Sequence, residues 1–256
     1  MKFPIALMVL VFCSMAGIAQ KNELKINASA NTTILPNFQN RIAIANGFNI
    51  PDVIIVNNSQ NPIYVVDANS STKSKVGFVV EAEAGRKLNN RWKLSLSLGV
   101  MQVNYSYDTY IPQSFYKNDF HLKDIASDYG NTKLTYLTSR PINVGVTFNK
   151  FSIQGGAILN YLVGKKYTNT VVVYNNNGHA AGAFFEEKGE PKQFLLGGHL
   201  NARYEIVPNL EVMLGGQYFF SSLYKKENTY QPLYDKSKAL QLQLGLSYNL
   251  APLFRK

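Results

Sequence analysis

The stretch that decides the fold covers residues 240–250 and reads LQLQLGLSYNL. Large apolar side chains occupy every second position, and Gln, Gly, Ser and Asn stand between them. Because successive side chains of a β-strand point to opposite faces of the sheet, this pattern indicates a strand with one apolar and one polar face.

The same alternation recurs along the chain. A weaker example lies near the start, at residues 24–30, and brings the total to eight strands, an even number as bacterial outer-membrane barrels require. The sequence therefore predicts an all-β fold, an eight-stranded antiparallel up-and-down transmembrane β-barrel. The other six segments are residues 78–84, 92–100, 142–148, 151–161, 196–206 and 210–220.

The connections between these strands alternate between short and long. Short turns at one end and long loops at the other are typical of outer-membrane barrels, in which the short turns are periplasmic and the long loops extracellular. The predicted turns are residues 86–90, 149–150 and 207–209, and the predicted loops are 35–74, 108–131, 164–192 and 225–236.

Residues 53–66 leave two interpretations open. The apolar residues 53–56 and 63–66 flank an Asn/Pro turn, and we expect them to form a hairpin that projects outside the membrane. The alternative makes them two further membrane strands, ten in all.

Alternation alone does not distinguish a membrane barrel from a soluble one, which would turn its large apolar residues inward. The polar face consists mostly of Ser, Gly, Asn and Gln, which suits a narrow lumen, and aromatic residues cluster near both strand ends, as they do at membrane interfaces. The predicted interface aromatics are Trp92, Tyr105, Phe148, Phe151, Tyr161, Tyr204, Tyr218 and Tyr248, with Tyr107 and Tyr224 at the loop end.

The first residues have the three-part layout of a secretory signal peptide. A lone Lys2 precedes an apolar run, and small residues end the segment at Ala19. The prediction is a signal peptide at residues 1–19 and an outer-membrane barrel domain at 20–256. Cys13, the single cysteine, lies in the signal, so disulfides and thiolate sites are not expected in the mature protein.

The formal net charge is +10, which raises the question of an anionic partner. The Lys and Arg residues are scattered rather than clustered, so we expect no nucleic acid binding. A rim that faces outer-membrane lipids and lipopolysaccharide explains the charge better, with an unknown protein partner at the extracellular loops.

Four segments resemble the PorT-like outer-membrane β-barrel family, relatives of the small OmpA and OmpX type barrels. They are GIAQ at 17–20, GRKLNNRW at 85–92, YLTSRPI at 136–142 and LSYNL at 246–250. The family's fourth strand reads Tyr-Leu-Glu-Ile-Pro-Leu, whereas Thr138-Ser139-Arg140 here replaces the Glu-Ile step and is one residue longer. The resemblance implies a membrane barrel, not a chemistry, and adds a link to protein secretion or envelope assembly.

Charged residues at inward-facing positions would fill the lumen of so small a barrel as an ion-pair network. Arg140 would face lipid if its strand were regular, at a cost of about 2 to 4 kcal/mol, but Pro141 predicts a bulge that turns Arg140 inward. The predicted lumen network consists of Glu81, Glu83, Lys93, Arg140, His199, Arg203, Glu205 and Glu211.

Candidate chemistry is sparse. His121, His179 and His199 lack metal-ligand spacing, and the double glycines lack the features of a phosphate loop, so we expect neither metal nor cofactor. The preferred hypothesis is a non-enzymatic barrel with a structural or surface-interaction role carried by its long loops. The alternatives are a small porin-like transport channel and, less favoured, a lipid-modifying enzyme that uses His199, Glu205 and a lumen Ser.

Overall fold

The structure is a computed structural model that describes residues 23–36, 38–44, 54–55, 64–110, 126–173, 184–185, 190–225 and 238–254. The predicted signal peptide, with Cys13, lies outside these residues, as do His121 and His179. Within the described ranges the chain has no helix long and apolar enough to cross a bilayer. A short 3-10 turn at Ala251–Phe254 follows the last strand.

The described part of the chain contains twelve strands in one sheet. Their bounds are β1 Glu23–Ile34, β2 Phe38–Ile44, β3 Ile54–Ile55, β4 Tyr64–Ser74, β5 Val76–Lys87, β6 Trp92–Tyr110, β7 Ala126–Phe148, β8 Phe151–Val173, β9 Phe184–Phe185, β10 Phe194–Val207, β11 Leu210–Phe219 and β12 Leu240–Asn249.

Eight of these strands close into a cylinder. The antiparallel pairs run in chain order through β1, β5, β6, β7, β8, β10, β11 and β12, and β12 pairs with β1 to complete the ring. Each of the eight therefore has a neighbour on both sides, which leaves no open edge in the wall. The predicted eight-stranded up-and-down barrel is confirmed.

The alternating apolar side chains of the barrel lie on its outer wall, whereas those of a soluble barrel lie in the interior. In β12, Leu242, Leu244 and Leu246 have 46%, 61% and 49% of their surface exposed on the outer wall, whereas Gln241 and Gln243 are at most 2% exposed in the interior. The other barrel strands repeat this pattern, with exposed Val, Leu, Ile and Phe outside and buried polar residues inside. This arrangement places the alternating leucines where the sequence predicts them.

Short turns close one end of the cylinder, which we call the turn end. Asn149 and Asn209 adopt positive φ angles of 54° and 72° in the two-residue turns after β7 and β10. Asn tolerates this left-handed conformation better than most residues. In the third turn, the side-chain Oδ1 of Asn89 accepts hydrogen bonds from the backbone of Arg91 and Trp92, at 2.8 and 2.7 Å.

The opposite end, which we call the loop end, carries more strand than the sequence indicates. The strands β6, β7 and β8 extend to Tyr110, from Ala126 and to Val173, so the predicted loops 108–131 and 164–192 are too wide. Because apolar and polar residues no longer alternate in these extensions, both predicted loops begin too early, and the loop 108–131 also ends too late.

The alternative of ten membrane strands is wrong. The ring of eight closes without residues 53–66, and the described residues of that segment pair outside the ring, Ile54 with Val65 and Ile55 with Tyr64. At the loop end β4 also pairs with β6, and β2 pairs with β4 and β9. The described residues of segment 53–66 thus belong to a sheet outside the ring, at the loop end.

One extra residue interrupts β7. Arg140 pairs with Ser97 and Asn143 pairs with Ser95, so β7 has two residues between these positions where β6 has one. The pairing of β7 with β8 shifts at the same place, between Ser139 and Asn143. Pro141 lies in this bulge, and Arg140 and Asn143 both face the interior as a result.

Candidate functional site: the filled barrel interior

The interior of the barrel consists of three layers. Charged and polar side chains fill the half near the turn end, and apolar and aromatic side chains fill the half near the loop end. An amide layer separates them, in which Gln217 donates to Met101 Sδ at 2.7 Å and to Gln241, and Gln241 donates to Thr33 Oγ1 at 2.9 Å.

Glu83 is the centre of the charged layer and is 1% exposed. Its Oε2 accepts from Arg203 Nη2 at 2.6 Å and from Asn27 Nδ2 at 3.0 Å. Its Oε1 accepts from Lys93 Nζ at 2.9 Å and from Gln154 Nε2 at 3.3 Å. Four donors from four different strands thus converge on one carboxylate, which offsets the cost of burying its charge.

Two further carboxylates pair with the remaining interior cations, and a third makes a second ion pair with Lys93. Glu81 Oε1 lies 3.1 Å from Arg140 Nε, and Glu211 Oε1 lies 2.5 Å from Lys25 Nζ. Glu23 Oε2 lies 2.8 Å from Lys93 Nζ. The charges of this layer therefore balance, which is the condition under which a buried ion cluster is tolerated.

The structure brings seven of the eight predicted lumen residues into this layer, namely Glu81, Glu83, Lys93, Arg140, His199, Arg203 and Glu211. Glu205 stands apart at the turn end, where its Oε1 accepts from the backbone of Asn209 at 3.4 Å. Sequence reasoning missed Glu23, Lys25 and Gln154 as members, although Lys25 occupies a polar position of the first predicted strand. The strand alternation was the signal that could have found Lys25.

The apolar layer contradicts part of the predicted aromatic girdle. Tyr105, Tyr107 and Tyr224 are buried inside the barrel and do not face lipid. The reason is strand parity, because Trp92 and Leu94 face outward in β6 and the odd-numbered residues from Ser95 onward face inward. The hydroxyls of Tyr105 and Tyr224 are hydrogen-bonded to each other within this layer.

This layer forms a plug at the loop end. Its members come from five barrel strands and from the segments beside them: Leu35, Val79, Met101, Val103, Tyr105, Tyr107, Leu134, Tyr136, Leu195, Phe219, Leu223, Tyr224 and Ala239, with Leu162 and Tyr167 of β8 packed against them. Tyr167 is level with Tyr105 in the sheet, because both residues pair with Thr132 of β7.

The other predicted interface aromatics lie on the outer wall. Trp92, Phe148, Phe151, Tyr204 and Tyr248 surround the turn end, while Tyr161 and Tyr218 lie towards the loop end. Two of the loop-end rings pair with phenylalanines: Tyr161 with Phe194 at a centroid distance of 5.0 Å, and Tyr218 with Phe220 at 6.1 Å.

The alternative catalytic group is not assembled. His199 Nε2 lies 2.6 Å from Asn143 Oδ1, deep in the interior. Glu205 is six residues further along the same strand, which corresponds to roughly 20 Å at the rise of an extended chain. In the part of the chain that the structure describes, no three His, Cys, Asp or Glu side chains come together as a metal site.

A polar cavity of about 290 Å³ opens at the turn end. Lys87, Lys150, Glu205 and Asn249 are among the residues of its wall, and Arg203 and Lys93 contribute to it from the charged layer. The cavity is a recess below that layer, and the amide layer and the apolar plug lie above it.

The fold and the interior together define the class of protein. A closed antiparallel cylinder with an apolar outer wall, a charged interior, short turns at one end and long strands at the other is a β-barrel of the outer-membrane type.

Comparison with known proteins adds solved structures of this type. No family model matches the chain, and no curated protein sequence does. The chain is similar to the attachment invasion locus protein Ail of Yersinia pestis, at 13% identity and a TM-score of 0.37 over 89% of this chain and 98% of that one. It is also similar to the outer-membrane protein OprG of Pseudomonas aeruginosa, at 9% identity and a TM-score of 0.36 over 89% of this chain and 95% of that one. A third similar structure is the outer-membrane protease OmpT of Escherichia coli, at 11% identity and a TM-score of 0.37 over 89% of this chain and 96% of that one.

Proposed function

We propose that this chain is an outer-membrane protein that binds a partner at the cell surface through its loop end, and that its barrel serves as an anchor rather than as a pore. The observation that carries the proposal is the length of the β7–β8 pair. Each strand has 23 residues, and their pairing continues to Ala126 and Val173. A membrane-spanning strand needs only about 9 to 11 residues.

The filled interior supports the same proposal. The apolar plug, the amide layer and the charged layer follow one another along the axis of the cylinder, so side chains occupy the path that a solute would take. An eight-stranded barrel is just wide enough for its interior to be filled in this way. Recognition is then the task of the sheet above the membrane.

The resemblance to PorT-like barrels adds one class of partner to this proposal, a protein of the secretion or envelope-assembly machinery. The Gram-negative outer membrane, reached through a cleaved signal peptide at residues 1–19, is the location that the proposal requires.

The proposal is tested by trimming the loop end without touching the barrel. Asp108 pairs with Tyr129, so residues 109–128 can be replaced by a two-residue Asn-Gly turn that leaves the barrel wall intact. Cells that display the full chain should adhere to immobilised heparin, a polyanion that tests the excess of basic residues, or retain an envelope protein on affinity purification. Cells that display the trimmed chain should lose this binding, while heat-modifiable migration on gels stays unchanged.

Two further measurements address the rival functions. Single-channel conductance above background in planar bilayers would support a transport channel instead, and altered lipid A on expression would support an enzyme. Equal binding by the full and trimmed chains would contradict the proposal directly.

A further inference from the structure

An open apolar groove crosses the outer wall over β8, β10, β11 and β12. Its volume is about 800 Å³, which is within the range of small-molecule binding sites. Gly198, Ala202 and Gly216 form part of its floor, and Leu214, Tyr218 and Leu242 rise beside them. A wall of uniform leucines would be smooth, so these small residues create the depression.

The register explains why the small residues lie together. Gly198 of β10 pairs with Ala157 of β8, and Gly216 of β11 pairs with both Leu200 and Leu242. An added Cβ at Gly216 would lie 3.5 Å from the carbonyl oxygen of Gln241 and 3.7 Å from Leu242 Cδ2, which are ordinary contacts. A methyl group at Gly216 would therefore fit against its neighbours without displacing them, whereas a larger side chain would extend into the groove.

Basic residues stand at the loop end of this groove. Lys238 precedes the groove residue Leu240 by two positions and shares its outward parity, with buried Ala239 between them, so the two lie about 7 Å apart along the strand. Lys192 precedes β10, which β11 separates from β12, and its backbone N–H donates to Leu223 O at 2.7 Å just beyond β11. Lys225 is close by, but Glu190 holds its ammonium group at 2.7 Å.

We propose that this groove holds an acyl chain of a phosphorylated outer-leaflet lipid of the lipid A type, whose phosphate groups bind Lys192 and Lys238. The inference rests on the proposed outer-membrane location, because the loop end then faces the outer leaflet. An apolar groove with two cations at its loop end matches the chemistry of such a lipid. The acyl chain would fill the groove, and the anionic headgroup would bind the two lysines. The rings of Tyr218 and Phe220 contact each other edge to face and line the same groove.

The first test fills the groove. The purified protein, folded in detergent, is mixed with diphosphoryl hexa-acyl lipid A or with phosphatidylethanolamine, and bound lipid is counted by native mass spectrometry. We expect Gly216→Leu to weaken lipid A binding about tenfold, as the loss of burial of a few methylene groups implies. Ala82→Leu, on the outward face of β5 across the barrel, is the matched control and should bind as the unaltered protein does.

The second test removes the cations. Lys192→Gln combined with Lys238→Gln should reduce the preference for lipid A over phosphatidylethanolamine by at least about tenfold, since each basic residue at a membrane surface contributes a factor of roughly five. Lys73→Gln combined with Lys133→Gln, two exposed lysines of β4 and β7, should leave the preference unchanged.

Three outcomes would overturn this inference: equal binding of both lipids to the unaltered protein, unchanged lipid A binding in Gly216→Leu, or a dimer that Gly216→Leu dissociates, which would make a second copy the occupant. Heat-modifiable migration and surface binding are measured on the same variants. If both persist while lipid selectivity is absent, only the lipid inference fails. If the unaltered protein does not insert into membranes at all, the proposed function fails with it.

Discussion

Glu83 is the residue on which the charged layer depends, because its carboxylate accepts from Arg203, Lys93, Asn27 and Gln154. We expect Glu83→Gln to leave the buried layer with one uncompensated positive charge, beside Arg203 and Lys93, and to lower the free energy of unfolding by about 3 to 5 kcal/mol. Urea-driven unfolding from lipid vesicles, followed through the fluorescence of Trp92, the single tryptophan, measures this change.

Glu190 provides the matched control for that substitution. It forms an ion pair with Lys225 in which both side chains are about half exposed. Glu190→Gln should therefore cost no more than about 1 kcal/mol. Equal losses for the two variants would mean that the buried cluster is not what stabilises the barrel.

Gly99 illustrates a second constraint on single residues, the close approach of neighbouring strands. A Cβ at this position would meet the carbonyl oxygen of Val80 and lie 2.6 Å from Glu81 Cα. Gly99→Ala should therefore destabilise the barrel by about 1 to 3 kcal/mol through forced separation of β5 and β6. Gly164→Ala, where the nearest atom is Thr135 Cβ at 3.6 Å, should be nearly neutral in the same urea titration. A neutral Gly99→Ala would show that the wall adjusts freely.

The sequence could place most of the charged layer because strand parity is a local property. Glu81, Glu83, Arg203 and Glu211 follow directly from the alternation of their own strands. It could not place Glu205, because the register shifts between Glu205 and Val207 near the turn. Tyr105 was assigned to lipid from its residue type, although the parity of β6 already turned it inward.

The bulge in β7 matters at the level of whole strands, because its one extra residue changes which positions face inward. The even-numbered residues up to Arg140 face the interior, and from Asn143 onward the odd-numbered residues do. Residues up to Arg140 and residues from Asn143 both present their polar side chains to the interior only because two residues separate them. The proline signal was visible in the sequence. The lengths of β7 and β8 were not, because their extensions lie beyond the bilayer, where no lipid imposes an apolar face.

Deletion of single residues tests the role of the bulge. Removal of Pro141 would leave one residue between Arg140 and Asn143, which matches the spacing of Ser95 and Ser97 on β6, so we expect a folded, heat-modifiable barrel. Removal of Leu137 would make the inward residues Tyr136 and Thr138 adjacent and force one of them outward. That variant should fail to fold in vesicles. The opposite ranking of the two deletions on gels would contradict this assignment of the bulge.

At the scale of the whole molecule, the two ends differ in kind. The connections at the turn end are short, and the polar cavity opens there. The loop end carries the apolar plug and the sheet above it. The interior charges balance within the described layer, so the excess of basic residues lies elsewhere on the protein. The proposed binding at the loop end and the anchoring by the wall would consequently be separable, and trimming the loop end should not disturb the wall.

Separable ends also predict a fixed orientation in the membrane. With Cys13 replaced by Ala, a single cysteine is introduced at Lys73 of the loop end or at Lys150 of the turn end, both exposed positions. A membrane-impermeant maleimide should label Lys73→Cys on intact cells and should label Lys150→Cys only after the outer membrane is permeabilised, because the short turns of such barrels are periplasmic. Leu244→Cys, on the lipid-facing wall, should resist labelling in both conditions. Labelling of Lys150→Cys on intact cells would reverse the orientation on which the surface-binding proposal depends.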